Sequence, residues 1–220
     1  AADASGDIIV LSYKDSRSLV TRCNFRGVPV APIEITGLPP GVPFKANRMI
    51  RQGDLFYFIA LDTGTVVVTG AHGDVRRHVG LLPLLDGEEK QKTGAEMFGF
   101  AVDRDGNIFF SVPTMFRVFK LTPDGTITSF GRPGSAAGRF GVVSGVAIDS
   151  RGNVLVADKL RSVVMIFDKD FKFLAEFGYR GTRPENLVVP DDLAIDGKDR
   201  VYVSQARRRG VSVFALNSIQ

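Results

Sequence analysis

One ten-residue segment is written three times in the second half of the chain. It reads Ala101-Val-Asp-Arg-Asp-Gly-Asn-Ile-Phe-Phe110, then Ala147-Ile-Asp-Ser-Arg-Gly-Asn-Val-Leu-Val156, then Ala194-Ile-Asp-Gly-Lys-Asp-Arg-Val-Tyr-Val203. The copies start 46 and 47 residues apart. A fixed period of this size means stacked copies of one supersecondary unit, none of which can bury its apolar face alone.

Each copy is an apolar strand ending in Ala-x-Asp, a polar turn, and a second strand rich in β-branched and aromatic residues. Asp-x-x-Gly-Asn between two apolar runs is a hairpin signal, because Gly and Asn tolerate positive φ. In the middle copy, a third strand follows at Val163-Val-Met-Ile-Phe167, then a turn and a fourth strand at Lys172-Phe-Leu-Ala-Glu-Phe177. The preceding copy does the same with Arg117–Leu121 and Thr126–Phe130. Four antiparallel strands per 46–47 residues make one propeller blade. The sequence therefore predicts an all-β β-propeller. Every apolar segment is short and bounded by Gly, Pro or Asp, so no long α-helix is expected.

The hairpin positions align as Gly6, Gly53, Gly106, Gly152 and Asp199, which gives five blade starts spaced 47, 53, 46 and 47 residues apart. The longer step holds an insertion at residues 81–94 with the charged stretch Asp86-Gly-Glu-Glu-Lys-Gln-Lys92. A single domain over 1–220 is expected, with approximate blades at 1–36, 37–80, 95–131, 142–178 and 189–220. Six blades need more than 220 residues at this period. The alternatives are a five-bladed ring and a piece of a larger six-bladed protein. The second is favoured, because the chain begins inside a strand and the last copy stops before its fourth. Ala101, Ala147 and Ala194 are expected to be buried, since the first strands of the blades converge and need small side chains.

No run approaches the ~18 apolar residues that a membrane-spanning helix requires. Cys23 stands alone, so no internal disulfide forms and the residue reads as a small strand side chain. A start of Ala-Ala-Asp is compatible with an exported bacterial protein whose leader has been removed. A periplasmic or extracellular location is therefore expected over a cytoplasmic one.

Residues 145–158, Gly-Val-Ala-Ile-Asp-Ser-Arg-Gly-Asn-Val-Leu-Val-Ala-Asp, followed by Val-Met-Ile-Phe-Asp168, resemble the NHL repeat. The resemblance is carried by residues 98–216. It implies a β-propeller, often six-bladed. Where NHL repeats commonly place an Asn and then an Arg before the third strand, this chain has Arg161 and Val163. NHL and related propellers include lyases, sensor domains of receptor kinases, and RNA- or protein-binding modules. The lyases use histidines and a bound metal on one face. This chain has two histidines, His72 in a turn and His78 on the following strand, so no metal or other cofactor is expected.

In this strand order, the loops between strands two and three share a face with the loops joining successive blades. The first set carries Lys14, Arg17, Arg117, Lys159, Arg161 and Arg207-Arg208-Arg209. The second carries Arg132, Arg139, Arg180 and Arg183. The opposite face carries the turn residues Asp103, Asp149 and Asp196, which are expected to accept hydrogen bonds from their own hairpins. A net charge of +4 is thus read as a basic face set against an acidic one. Arginine in such a field suits bidentate contact with carboxylate or phosphate. The candidate binding residues are Arg117, Lys159, Arg161, Arg180, Arg183, Arg207, Arg208 and Arg209. Tyr13, Phe116, Phe140 and Tyr179 are the aromatic side chains placed to stack on bases if the partner is RNA.

The sequence holds no Gly-x-Ser-x-Gly elbow, phosphate loop, His-Glu-x-x-His or Cys pair. The leading expectation is a non-enzymatic propeller that binds a protein partner through its arginine-rich loop face. The alternatives are an RNA- or polyanion-binding domain and a lyase- or hydrolase-like enzyme.

Overall fold

A computed structural model describes residues 1–2, 6–14, 17–85, 96–206 and 209–216. The described chain is all-β, with five antiparallel sheets of three or four strands arranged as propeller blades. It separates into two compact units, residues 1–91 and 92–220.

The first unit holds two blades. β1 (Ile8–Lys14), β2 (Arg17–Cys23) and β3 (Pro29–Ile33) form one sheet, with Ala2 bridged to Ile8 beside β1. β4 (Arg48–Gln52), β5 (Leu55–Ala60), β6 (Thr65–Thr69) and β7 (Val75–Gly80) form the other. Alternation along β1 turns Ile9 inward, where it joins Val20, Phe56, Phe58 and Val67 in a core between the two sheets. Most of the 81–94 insertion lies outside the described residues; its start forms a single 3-10 turn at Leu82–Leu84.

The second unit holds three blades. The first comprises β8 (Phe100–Val102), β9 (Ile108–Val112), β10 (Arg117–Leu121) and β11 (Ile127–Phe130). The next comprises β12 (Val143–Ile148), β13 (Val154–Asp158), β14 (Val163–Phe167) and β15 (Phe173–Gly178). The last comprises β16 (Pro190–Ile195), β17 (Arg200–Gln205) and β18 (Gly210–Ala215). The strands β9, β13 and β14 are buried along their whole length, and β13 and β14 lie between the two neighbouring blades of the unit. That burial explains their unbroken apolar runs.

The hairpin turns use their aspartates locally. Asp103 accepts from the backbone amides of Asp105 and Asn107 and from the Asn107 side chain. Asp149 does the same with Arg151 and Asn153, and Asp196 with Lys198 and Arg200. Gly106 and Gly152 have φ of 79° and 85°, as the turn requires, and the third copy keeps the left-handed backbone with Asp199 at 55°. The replacement adds a contact: Asp199 accepts a hydrogen bond from the Ser150 amide of the preceding blade at 2.8 Å.

One sequence expectation about packing needs correction. Ala101 and Ala147 are buried, but Ala194 is exposed. The first two face the next blade of the unit, whereas no sheet covers that side of β16 among the unit's described residues. Two residues before the buried alanines, neighbouring blades also approach closely at glycines. A Cβ on Gly99 would lie 2.3 Å from the Ser144 carbonyl oxygen, and one on Gly145 would lie 2.6 Å from the Leu193 amide nitrogen.

Candidate functional site

In the second unit, the loops after β9, β13 and β17 share one face with the loops that join its blades. Side chains tie these loops together. At the end of β13, Asp158 is fully buried and accepts hydrogen bonds from the amides of Gly141, Val142, Leu160 and Arg161. One carboxylate thus holds both the β11–β12 loop and the β13–β14 turn. Forty-seven residues later Gln205 repeats half of this device, accepting from the Val188 amide at 2.7 Å.

The predicted binding cations divide into two groups. Lys159 pairs with Asp191 at 2.6 Å, and its ammonium lies 3.6 Å from the Phe98 ring centroid. Arg161 pairs with Glu176 at 2.8 Å, both side chains about nine-tenths buried, and donates to the Arg139 carbonyl at 3.0 Å. Arg209 donates to the carbonyls of Thr182, Arg183 and Asn186 in the neighbouring interblade loop. Arg117 lies on β10 and donates to Ser129 of β11. These four side chains hold loops and strands in place. Arg180 and Arg183 instead point to solvent, and the Arg183–Glu185 contact is long, at 3.9 Å between two exposed side chains. Arg132 and Arg139 are exposed on the same loop set. Arg207 and Arg208 lie outside the described residues.

The most exposed apolar side chain of this face is Leu160, at 72%. It sits at the tip of the β13–β14 turn between Lys159 and Arg161. Its signal in the sequence is a lone apolar residue inside Asp-Lys-Leu-Arg, a turn that has no need of one. Tyr179 is exposed too, and it begins the next interblade loop. Of the aromatics placed for stacking, Tyr13 and Tyr179 are exposed, Phe116 is half-buried and Phe140 is fully buried. Phe140 goes inside because Gly131 has no side chain; a Cβ there would lie 2.3 Å from the Phe140 ring.

On the opposite end of the strands, hydrogen bonds to the carboxylates hold their pKa values down. Asp196 is lowered to about 2, chiefly by the Arg200 backbone amide; desolvation opposes this, and the Arg200 side chain and the Lys198 amide add to the lowering. Asp199 is lowered by the Ser150 hydroxyl and amide.

In the first unit, Tyr13, Ser18, Lys45, Ala46, Asn47, Ala60 and Asp62 line a small pocket of about 210 Å³. Tyr13 and Ser18 both donate to the Ala46 carbonyl there. His72 is exposed in the β6–β7 turn, and His78 is half-buried on β7 with its Nε2 unpartnered. Among the described residues, no three His, Cys, Asp or Glu side chains are grouped to hold a metal ion. No helix among them is long and apolar enough to cross a membrane.

No protein-family model matches the chain. Two curated relatives carry the NHL resemblance, both NHL-repeat proteins. The chain is 36% identical to Protein brain tumor of Drosophila melanogaster over 66 residues, which is 30% of this chain and 6% of that protein. It is 39% identical to Protein lin-41 of Caenorhabditis elegans over 57 residues, which is 26% of this chain and 5% of that protein. The chain thus spans a small fraction of the relatives' length. Among solved structures, a catalytically inactive virginiamycin B lyase from Staphylococcus aureus, crystallised with quinupristin, superposes with a TM-score of 0.62. That match covers 99% of this chain and 69% of the lyase at 12% identity, so it speaks to the propeller fold alone.

Proposed function

We propose that the chain is a non-enzymatic binding propeller that recognises a protein partner through the loop face of its second unit. The observation that carries this reading is the division of labour on that face. Lys159, Arg161 and Arg209 are spent holding loops to one another. Leu160, Tyr179, Arg180 and Arg183 are left outward. A rigid platform presenting an aliphatic tip, a tyrosine and free arginines has the make-up of a protein-binding patch, where aromatic and Arg side chains are enriched. Rigid loops also lower the ordering cost of association.

The second reading is RNA binding. It is favoured by the exposed Tyr179 directly preceding Arg180, since bases stack on aromatic rings while arginines meet phosphates. A single set of variants decides between them. Leu160→Ser should abolish capture of a protein partner from RNase-treated lysate and leave RNA binding intact. Tyr179→Ala with Arg180→Ser should weaken retention of single-stranded RNA at low salt if RNA is the ligand. If all these variants capture the same proteins as the parent, and the parent ignores RNA at low salt, the loop face is not the binding surface.

A further inference from the structure

We propose that the first unit holds a binding site for a small zwitterion, a molecule of amino-acid size that carries one ammonium and one carboxylate. The site is the pocket where the end of β1 and the start of β2 meet the chain entering β4 and the end of β5. None of its residues belongs to the loop platform of the second unit. Its volume of about 210 Å³ is below the ~300–1,000 Å³ of pockets that take drug-sized ligands. It equals the room of about seven waters at ~30 Å³ each, which suits a small metabolite.

The floor of the pocket is fixed by hydrogen bonds. Tyr13 and Ser18 both donate to the Ala46 carbonyl, and the Ser18 oxygen accepts from the Ala46 amide at 2.8 Å. Ser18 and Ala46 are buried. These bonds tie the first blade to the chain entering β4. Asn47 ties the same chain to β5. Its amide donates to the Ile59 carbonyl at 2.7 Å, and its side-chain oxygen accepts from the Leu61 amide at 3.0 Å.

The groups that the floor leaves unused are charged or polar, and they are of two kinds. Lys45 and Asp62 are exposed on this one pocket. Among the described residues, neither side chain has an ion pair or a hydrogen bond, with the other or with any third group. The Asn47 side-chain nitrogen keeps two N–H donors for a ligand, since only its oxygen is engaged. The Tyr13 phenol spends its hydrogen on Ala46, so its oxygen is left as an acceptor. Asp62 acts on that phenol: burial first, and then the Asp62 charge, raise the Tyr13 pKa above its ordinary value. A carboxylate and a neutral phenol oxygen suit an ammonium. An ammonium and a primary amide suit a carboxylate. A ligand with both charges satisfies Asp62 and Lys45 together. A lone anion or cation satisfies one of them and is repelled by the other, which gives the pocket its selectivity.

Calorimetric titration of the 220-residue protein at low salt tests this with glycine, β-alanine and γ-aminobutyrate, which hold their two charges progressively further apart. Acetate and methylammonium serve as probes with one charge each. Saturable binding of at least one zwitterion is expected, tighter than either single-charge probe by at least about tenfold. Asp62→Asn and Lys45→Met should each weaken that binding by about tenfold or more. Both side chains are exposed, so the urea midpoint should stay unchanged. Asp62→Ser is the substitute if Asp62→Asn does not fold. The proposal is overturned if no zwitterion binds saturably, if acetate or methylammonium binds as tightly, or if either folded variant binds like the parent. Leu160→Ser should leave zwitterion binding unchanged, so failure here and failure of the loop-face reading are told apart.

Discussion

The carboxylate of Asp158 lies 2.5 Å from the amide nitrogen of Gly141, seventeen residues earlier in the chain. This contact links the end of a central strand to the loop that delivers the chain from one blade to the next. Asp158 is fully buried, and four backbone N–H dipoles converge on its charge.

Removing that carboxylate strands several buried amides at once. Asp158→Ala is therefore expected to destabilise the protein by on the order of 3 kcal/mol, read as a lower urea midpoint. Gln205→Ala removes the single equivalent acceptor in the next blade and should cost less. Equal effects of the two substitutions would show that the loop is held by something other than these side chains.

The two glycines of the first strands predict a steric effect. The added methyl of Gly145→Ala meets backbone atoms of Asp192 and Leu193 at 2.6–2.8 Å, and backbone cannot rotate away. A loss of about 1–3 kcal/mol is expected, as for other overpacked interiors. Ala147→Leu should cost a comparable amount, since Ala147 packs within the cluster that joins two blades. Ala194→Leu should be near neutral, because Ala194 is exposed. Thermal unfolding of the three variants checks the order.

The blade pattern was readable because period, turn chemistry and strand burial all point the same way. Asp103, Asp149 and Asp196 do what their place before a turn glycine or its substitute implies. The site was less readable for a physical reason. A cation in a loop looks the same in sequence whether its partner is solvent or a carbonyl twenty-odd residues away. Arg161 and Arg183 are indistinguishable by spacing, yet one is buried against Glu176 and the other faces water. Phe140 likewise read as an exposed loop aromatic, and only the space left by Gly131 takes it inside. Leu160 was legible in principle, as an apolar residue where a turn has no use for one.

Acid should weaken the hairpin-turn ends of the blades. Asp196 and Asp199 have folded-state pKa values below the usual carboxylate range, so both bind protons less readily folded than unfolded. Their contribution is complete above about pH 4 and is lost as pH falls through that value towards about 2, where Asp196 titrates. Asp196→Asn should flatten the acid limb of the melting-temperature profile and leave the neutral region almost unchanged. A variant whose acid limb matches the parent's would remove Asp196 from this account.

The contrast between Arg161 and Arg183 gives the sharpest test of which arginines serve the fold. Arg161→Ala leaves Glu176 buried without its cation, and the second oxygen of Glu176 already lacks a hydrogen-bond partner. An uncompensated buried charge is costly, so a loss of about 3–5 kcal/mol is expected. Arg161→Met with Glu176→Leu, which removes both charges and keeps the packing volume, should recover most of that loss. Arg183→Ser breaks only a long contact between exposed groups and should change stability by less than about 0.5 kcal/mol. Urea titration of the four proteins decides it. If Arg161→Ala is as harmless as Arg183→Ser, Arg161 is free to meet a ligand, and the loop platform is held by the Asp158 and Arg209 contacts instead.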